Sequence, residues 1–202
     1  MSSPSRQYDF VVVGAGSADC AVAHSLAERE AGSVLVLEAG PSGRWPLVRM
    51  PFGLVWMVGT KSRDWQYRST PQAGLGGREI GIPRGRMIGG SGSINAMVWF
   101  RGRADDFRAW DLPGWSWDEV RAAFETVESH TTPDRFGGAH HPVGTLPMGS
   151  DTPVTPRCTL RSVAGRRVDD ASVMPSITSN NTNAPSMMIG HRAGHMIAED
   201  AA

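Results

Sequence analysis

The chain has 202 residues, and its 20 basic side chains balance its 20 acidic ones, so a nucleic-acid or anionic-membrane partner has no electrostatic basis. No apolar run approaches the ~18 residues of a membrane span, and the opening "MSSPSRQYDF" lacks the apolar stretch of a secretory signal. Cys20 and Cys158 lie far apart with no metal-ligand spacing, so no disulfide framework is expected and a cytoplasmic location is expected.

The run Tyr8–Val13 is suited to a buried strand, and Gly14–Asp19 is a glycine-rich turn. Cys20–Glu30 has helical composition, with Ala21, Leu26 and Ala27 available to pack inward. Ser33–Gly40 is a second apolar run, ending in Glu38. Strand, turn, helix and strand make a βαβ unit, which implies a parallel sheet. Residues 41–83 are irregular. Gly85–Phe100 reads as a second glycine turn running into a helix. Gly114–Ser129 is a helix: Ser116 and Glu119 form a capping box, and Val120, Phe124 and Val127 share a face. Residues 130–165 show no periodicity. Arg166–Pro175 holds a short strand, and Ala184–Asp200 is a C-terminal helix with Pro185 near its start, where proline is tolerated.

The first glycine turn has the form of a dinucleotide-binding turn. Gly14 permits a tight turn, Gly16 lets the backbone approach a pyrophosphate at the helix N-terminus, and Glu38 can accept bonds from ribose hydroxyls. Asp19 stands where a third glycine is expected. In a tight site its side chain costs about 1–3 kcal/mol, and its charge faces the diphosphate. Gly89, Gly90 and Gly92 free backbone N–H groups at a second anion site. His191 and His195, four apart on one helix face, could supply two metal ligands. No acid or third ligand stands at useful spacing, so they are read as solvated and no metal is expected. His24 and His130 have no partner that suggests a role. The acidic pairs Asp105–Asp106 and Asp169–Asp170 have no ligand spacing, and Trp110, Trp115 and Trp117 are expected to pack a local corner.

The segment "PRGRMIGGSGSIN" (Pro83–Asn95) resembles the first signature of the glucose–methanol–choline (GMC) family of FAD-dependent oxidoreductases, in Gly85, Arg86, Ile88, Gly89, Gly90, Ser91, Ile94 and Asn95. The flanking runs "DWQYRSTPQAGLGGREIGIPRGR" and "RGRADDFRAWDLPGWSWDEV" are similar to the family as well. So are "HPVGTLPMGSD" (His141–Asp151) and "DDASVMPSITSNNTNAPSMMIG" (Asp169–Gly190), although Leu146 and Pro147 stand where the family usually has Cys and Arg. The resemblance implies FAD as cofactor. It is held non-covalently, because Ile94 matches the position of the flavin-linked histidine of some members. The implied FAD-binding residues are Gly14, Ala15, Gly16, Ser17, Glu38, Ala39, Gly89, Gly90, Ser91, Asn95, Ala96, Met97, Val98, Asp170, Ala171 and Asn183. The implied catalytic residues are His141 and Asn183. An imidazole titrating near neutrality suits removal of a hydroxyl proton from a small-molecule alcohol, and an amide can hold the alcohol oxygen.

Family members are typically more than twice this length. The N-terminal motifs run to about Ser129 and the C-terminal motifs begin by His141, while "DRFGGA" (Asp134–Ala139) resembles the start of the family's middle region. The expected fold is therefore α/β: a Rossmann-like FAD-binding domain with a truncated parallel sheet and little or no separate substrate domain. It forms one domain over residues 1–202, assembled from parts of about 1–133 and about 140–202 with a junction near 130–141. Three functions compete: a compact alcohol-oxidising flavoprotein, a non-catalytic remnant that binds FAD weakly or not at all, and a Rossmann-type NAD-binding protein. The second glycine motif and the C-terminal motifs place the last behind the others.

Overall fold

The computed structural model describes residues 6–50, 53–96, 99–128, 143–179 and 181–202. They form two compact units, one of Met1–Val12, Ala18–Val36 and Val98–Ala202, the other of Val13–Ser17 and Leu37–Met97. The junction expected near residues 130–141 lies outside the described residues.

The N-terminal βαβ unit forms as the apolar runs require: strand β1 (Phe10–Val13), helix α1 (Ser17–Glu28) and strand β2 (Val34–Leu37). β1 and β2 pair as a two-stranded sheet. Asp9 N–H donates to Ser33 O at one end and Gly14 N–H to Leu37 O at the other, so the strands run parallel. Val12 packs into the core, whereas Val11 and Val13 are 53% and 79% exposed. A parallel strand is ordinarily covered on both faces, and this one is covered on one.

The larger unit is built around helices. α3 (Ala104–Arg108) and α4 (Trp117–Val127) follow the sheet in sequence, and α5 (Asn183–Ala201) closes the chain. The capping box of α4 is present: Glu119 N–H donates to Ser116 Oγ, and Ser116 N–H donates to the Glu119 carboxylate at 3.0 Å. Val120 and Phe124 are fully buried, as their spacing requires. Phe107, Trp110, Trp115 and Trp117 form the aromatic corner, with centroid separations of 5.0 Å for Phe107–Trp110 and 6.0 Å for Trp110–Trp115. Helix α1 begins earlier than its composition suggested. It buries Ala18, Ala21, Val22, Ser25 and Leu26 and leaves Ala27 exposed.

α1 meets α5 through small residues. A Cβ on Gly190 would stand 2.2 Å from Ala18 O, and one on Gly194 would stand 2.6 Å from the Ser25 Cβ. This contact puts His191, 3% exposed, in the core and not in solvent as its helix face suggested. Burial, followed by the neighbouring His195, pushes its imidazole down to about 4, so it is neutral at neutral pH.

The smaller unit contains a one-turn helix α2 (Leu54–Met57) and a hairpin of β3 (Tyr67–Arg68) and β4 (Gly81–Ile82) in register Tyr67↔Ile82. Asp64 organises the hairpin. Its carboxylate, 3% exposed, accepts from the backbone N–H groups of Gly59, Gln66 and Arg84 at 2.8–2.9 Å. Burial alone would raise its pKa, but these three donors and the Arg84 charge hold it below the ordinary range. Among the described residues of Gly85–Phe100 the helix expected after the second glycine turn does not form. Gly90–Ser93 is a single 3₁₀ turn, because Gly89 and Gly90 take positive φ values of 89° and 52° and glycine resists helix propagation. The strand expected within Arg166–Pro175 is reduced to an isolated Thr159↔Arg167 bridge and a 3₁₀ turn at Ala171–Val173. No helix among the described residues is long and apolar enough to cross a membrane.

Candidate active site

In the smaller unit the two glycine turns interlock. Gly14 has φ +117°, which favours glycine. Ala15 N–H donates to Glu38 Oε2 at 3.0 Å, and Gly40 N–H donates to Oε1 at 2.7 Å. The acid that ends β2 thus ties the first turn to the second strand. Gly89 N–H donates to Ala15 O at 2.7 Å, so the second turn lies directly on the first. A Cβ on Gly90 would come within 2.8 Å of Gly16 Cα, and one on Gly40 within 2.1 Å of Arg86 O. Ser91 Oγ accepts from Gly85 N–H at 3.1 Å and closes the loop behind. Gly14, Ala15, Gly16, Ser17, Glu38, Ala39, Gly89, Gly90, Ser91, Asn95 and Ala96 therefore all belong to one unit, drawn from three separate stretches of chain.

Asp170, Ala171 and Asn183 belong to the larger unit, where described parts of the two C-terminal motifs lie side by side. Gly144, Leu146 and Met148 donate their N–H groups to the carbonyls of Ala171, Ser172 and Val173 at 3.2, 3.0 and 2.9 Å. Gly144 takes φ +74° in this pairing. Leu146, one of the two departures from the family motif, packs against the core. Asp170 caps the 3₁₀ turn Ala171–Val173, its Oδ1 accepting from Ser172 N–H at 2.9 Å. Asn183 opens α5, and its N–H donates to Asn181 Oδ1 at 2.9 Å. His141, Met97 and Val98 lie outside the described residues.

Asp169 is a perturbed acid that its spacing in the sequence did not disclose. Burial, then the charges of Asp19 and Asp170, push its carboxyl up to about 7. Asp19 occupies the first turn of α1, so the residue that departs from the glycine pattern also perturbs a second acid. The doubled acid Asp169–Asp170 is the only local signal, and without the fold it has no partner. Cys158 is buried, and burial pushes its thiol up to about 12, which excludes it as a nucleophile at neutral pH.

Residues 8–195 match the family model described as GMC oxidoreductase. The chain is 41% identical over 152 residues to an oxygen-dependent choline dehydrogenase of Rhizobium johnstonii, covering 73% of this chain and 28% of that protein. It is 40% identical over 131 residues to an alcohol dehydrogenase (acceptor) of Pseudomonas putida, covering 63% and 24%. Among solved structures it resembles pyridoxine 4-oxidase from Mesorbium loti, with a TM-score of 0.57 and 40% identity over 61% of this chain and 25% of that one. It also resembles a formate oxidase of Aspergillus oryzae RIB40, with a TM-score of 0.54 and 29% identity over 61% and 22%. The chain thus spans about a quarter of the length of the relatives it matches. On the match over residues 8–195, this chain belongs to the GMC oxidoreductase family.

Proposed function

We propose that this chain binds FAD non-covalently and oxidises the CH–OH group of a small alcohol. The observation that carries the reading is the pair of interlocked glycine turns closed by Glu38. GMC oxidoreductases are FAD-binding proteins, and the residues present fit the adenosine–diphosphate end of that group. A side chain at Gly90 or Gly40 would collide with backbone, and Glu38 stands at the end of β2 where ribose hydroxyls are recognised. Gly14, Gly16, Glu38, the Gly89–Ser91 turn and Asn95 would hold this end, and Asp170 and Ala171 are assigned to the cofactor by the family resemblance alone. When bound, FAD supplies a two-electron acceptor for hydride. His141 removes the hydroxyl proton as general base, and the Asn183 side-chain amide donates to the alcohol oxygen.

A second reading, a non-catalytic remnant, draws support from the exposed Val11 and Val13 of β1. Anaerobic mixing of FAD-loaded protein with a panel of alcohols separates the two. Under the catalytic reading the flavin absorbance bleaches, and His141→Ala slows bleaching roughly 10²–10⁴-fold. Equal rates in variant and wild type would remove His141 from the chemistry. No bleaching with any alcohol would support the remnant.

A further inference from the structure

The carboxylate of Asp106, on α3, joins that helix to the loop that leads into α5. We infer that Asp106, acting through Ser179, is the positioning residue that fixes Asn183 at the start of α5. The inference deepens the proposed function and rests on its reading of Asn183 as the residue that holds the alcohol oxygen.

Asp106 first serves its own helix. Its Oδ2 accepts from Arg103 N–H at 2.7 Å, the return half of a capping box. An ionised carboxylate can accept several further bonds. Here that capacity goes to one residue 73 positions away: Ser179 N–H donates to Oδ2 at 2.8 Å and Ser179 Oγ to Oδ1 at 2.6 Å. Two donors of one residue on two oxygens of another fix orientation as well as distance. Burial alone would raise the Asp106 pKa, but the bonds from Ser179 and Arg103 hold it below the ordinary range. The carboxylate is therefore ionised at neutral pH, and the bonds to it are charge-assisted. Capping of α3 accounts for the bond from Arg103 but not for the two from Ser179.

Both ends of the link are anchored. Phe107, next to Asp106, is 1% exposed and packs edge-on against Trp110 and Phe124, which holds α3 in the core. Gly102, at φ +85°, lets the loop approach: a Cβ there would stand 3.1 Å from Thr178 Cβ and 3.2 Å from Asp106 Oδ2. On the loop side Thr178, Asn181 and Thr182 are buried. Asn181 Oδ1 accepts from Asn183 N–H at 2.9 Å. Thr182 O accepts from Ser186 N–H at 2.9 Å and from Ser186 Oγ at 2.7 Å, which ties the loop to the first turn of α5. Four residues separate Ser179 from Asn183, a reach of at most about 14 Å. A displacement at Ser179 therefore passes to Asn183 through a short, buried stretch of chain.

The test uses the full chain, and its first readout needs no flavin. Amide hydrogen exchange followed by NMR reports local opening at Asn183, with Val120 N–H, which donates to Ser116 O in α4, as the internal reference. Ser179→Ala leaves the bond from Arg103 to Asp106 in place. It should speed exchange at Asn183 roughly tenfold and leave Val120 unchanged. Ser179→Thr keeps the hydroxyl and should restore protection, whereas Asp106→Asn should lose at least as much as Ser179→Ala. The second readout is bleaching of bound flavin by alcohol. Ser179→Ala should slow it roughly tenfold or more, and should add no further loss to Asn183→Ala, because the two residues act as one unit. Unchanged exchange at Asn183 in folded Ser179→Ala would overturn the inference, as would equal acceleration at Val120, the mark of a general loss of stability. If no alcohol bleaches the wild-type flavin, the catalytic reading of Asn183 falls, and the exchange comparison still decides whether Asp106 holds that residue in place.

Discussion

Asp169, Asp19 and Asp170 act on one another electrostatically in the larger unit, and the consequence falls on Asp169. Its carboxyl titrates near 7 in the folded chain and about 3.9 when unfolded. The folded state therefore keeps a proton that the unfolded state has already lost. This stabilises the fold below about pH 4, and the contribution fades as pH rises through 7. After a discount for partial solvent screening, the loss is about 1–4 kcal/mol. Asp169→Asn should melt like the wild type near pH 4 and above it at pH 8, and Asp19→Gly should narrow the same gap. Parallel melting curves for wild type and Asp169→Asn from pH 4 to 8 would show that the acid is fully solvated.

At the scale of the element, the α1–α5 contact is set by Gly190 and Gly194, and its energetics can be signed in advance. In an exposed helix, alanine for glycine stabilises by about 1 kcal/mol. At Gly190 the new Cβ would meet Ala18 O at 2.2 Å, and backbone cannot swing aside as a side chain can. Gly190→Ala should therefore destabilise by about 1–3 kcal/mol net, read as a lower urea midpoint. An unchanged or higher midpoint would show that the helices separate without cost. The contact also marks where sequence reading stops. β1, the glycine turn, β2 and α4 were legible because their signals are local: apolar runs, glycines, and a capping box at Ser116 and Glu119. The burial of His191 was not legible, because a helix read alone does not say which face another helix covers. The signal that could have exposed it was the small-residue spacing of Gly190 and Gly194 beside Ala18, Ala21 and Ser25 on α1. The second glycine motif was legible as a turn but not as a 3₁₀ turn, because positive φ at Gly89 and Gly90 ends the helix there. The pairing of residues 144–148 with 171–173 joins segments more than twenty residues apart and leaves no local trace.

For the whole molecule, the family pattern is carried by a match that spans about a quarter of the relatives' length. The residues expected to hold the adenosine–diphosphate end of FAD fall in one unit, and Asn183, expected to hold the alcohol oxygen, in the other. The central claim is that the interlocked glycine turns and Glu38 bind FAD. The direct measurement is titration of flavin-free protein into FAD, following flavin fluorescence. The account predicts saturable quenching with one flavin bound per chain. Flavin fluorescence unchanged at high micromolar protein would contradict it.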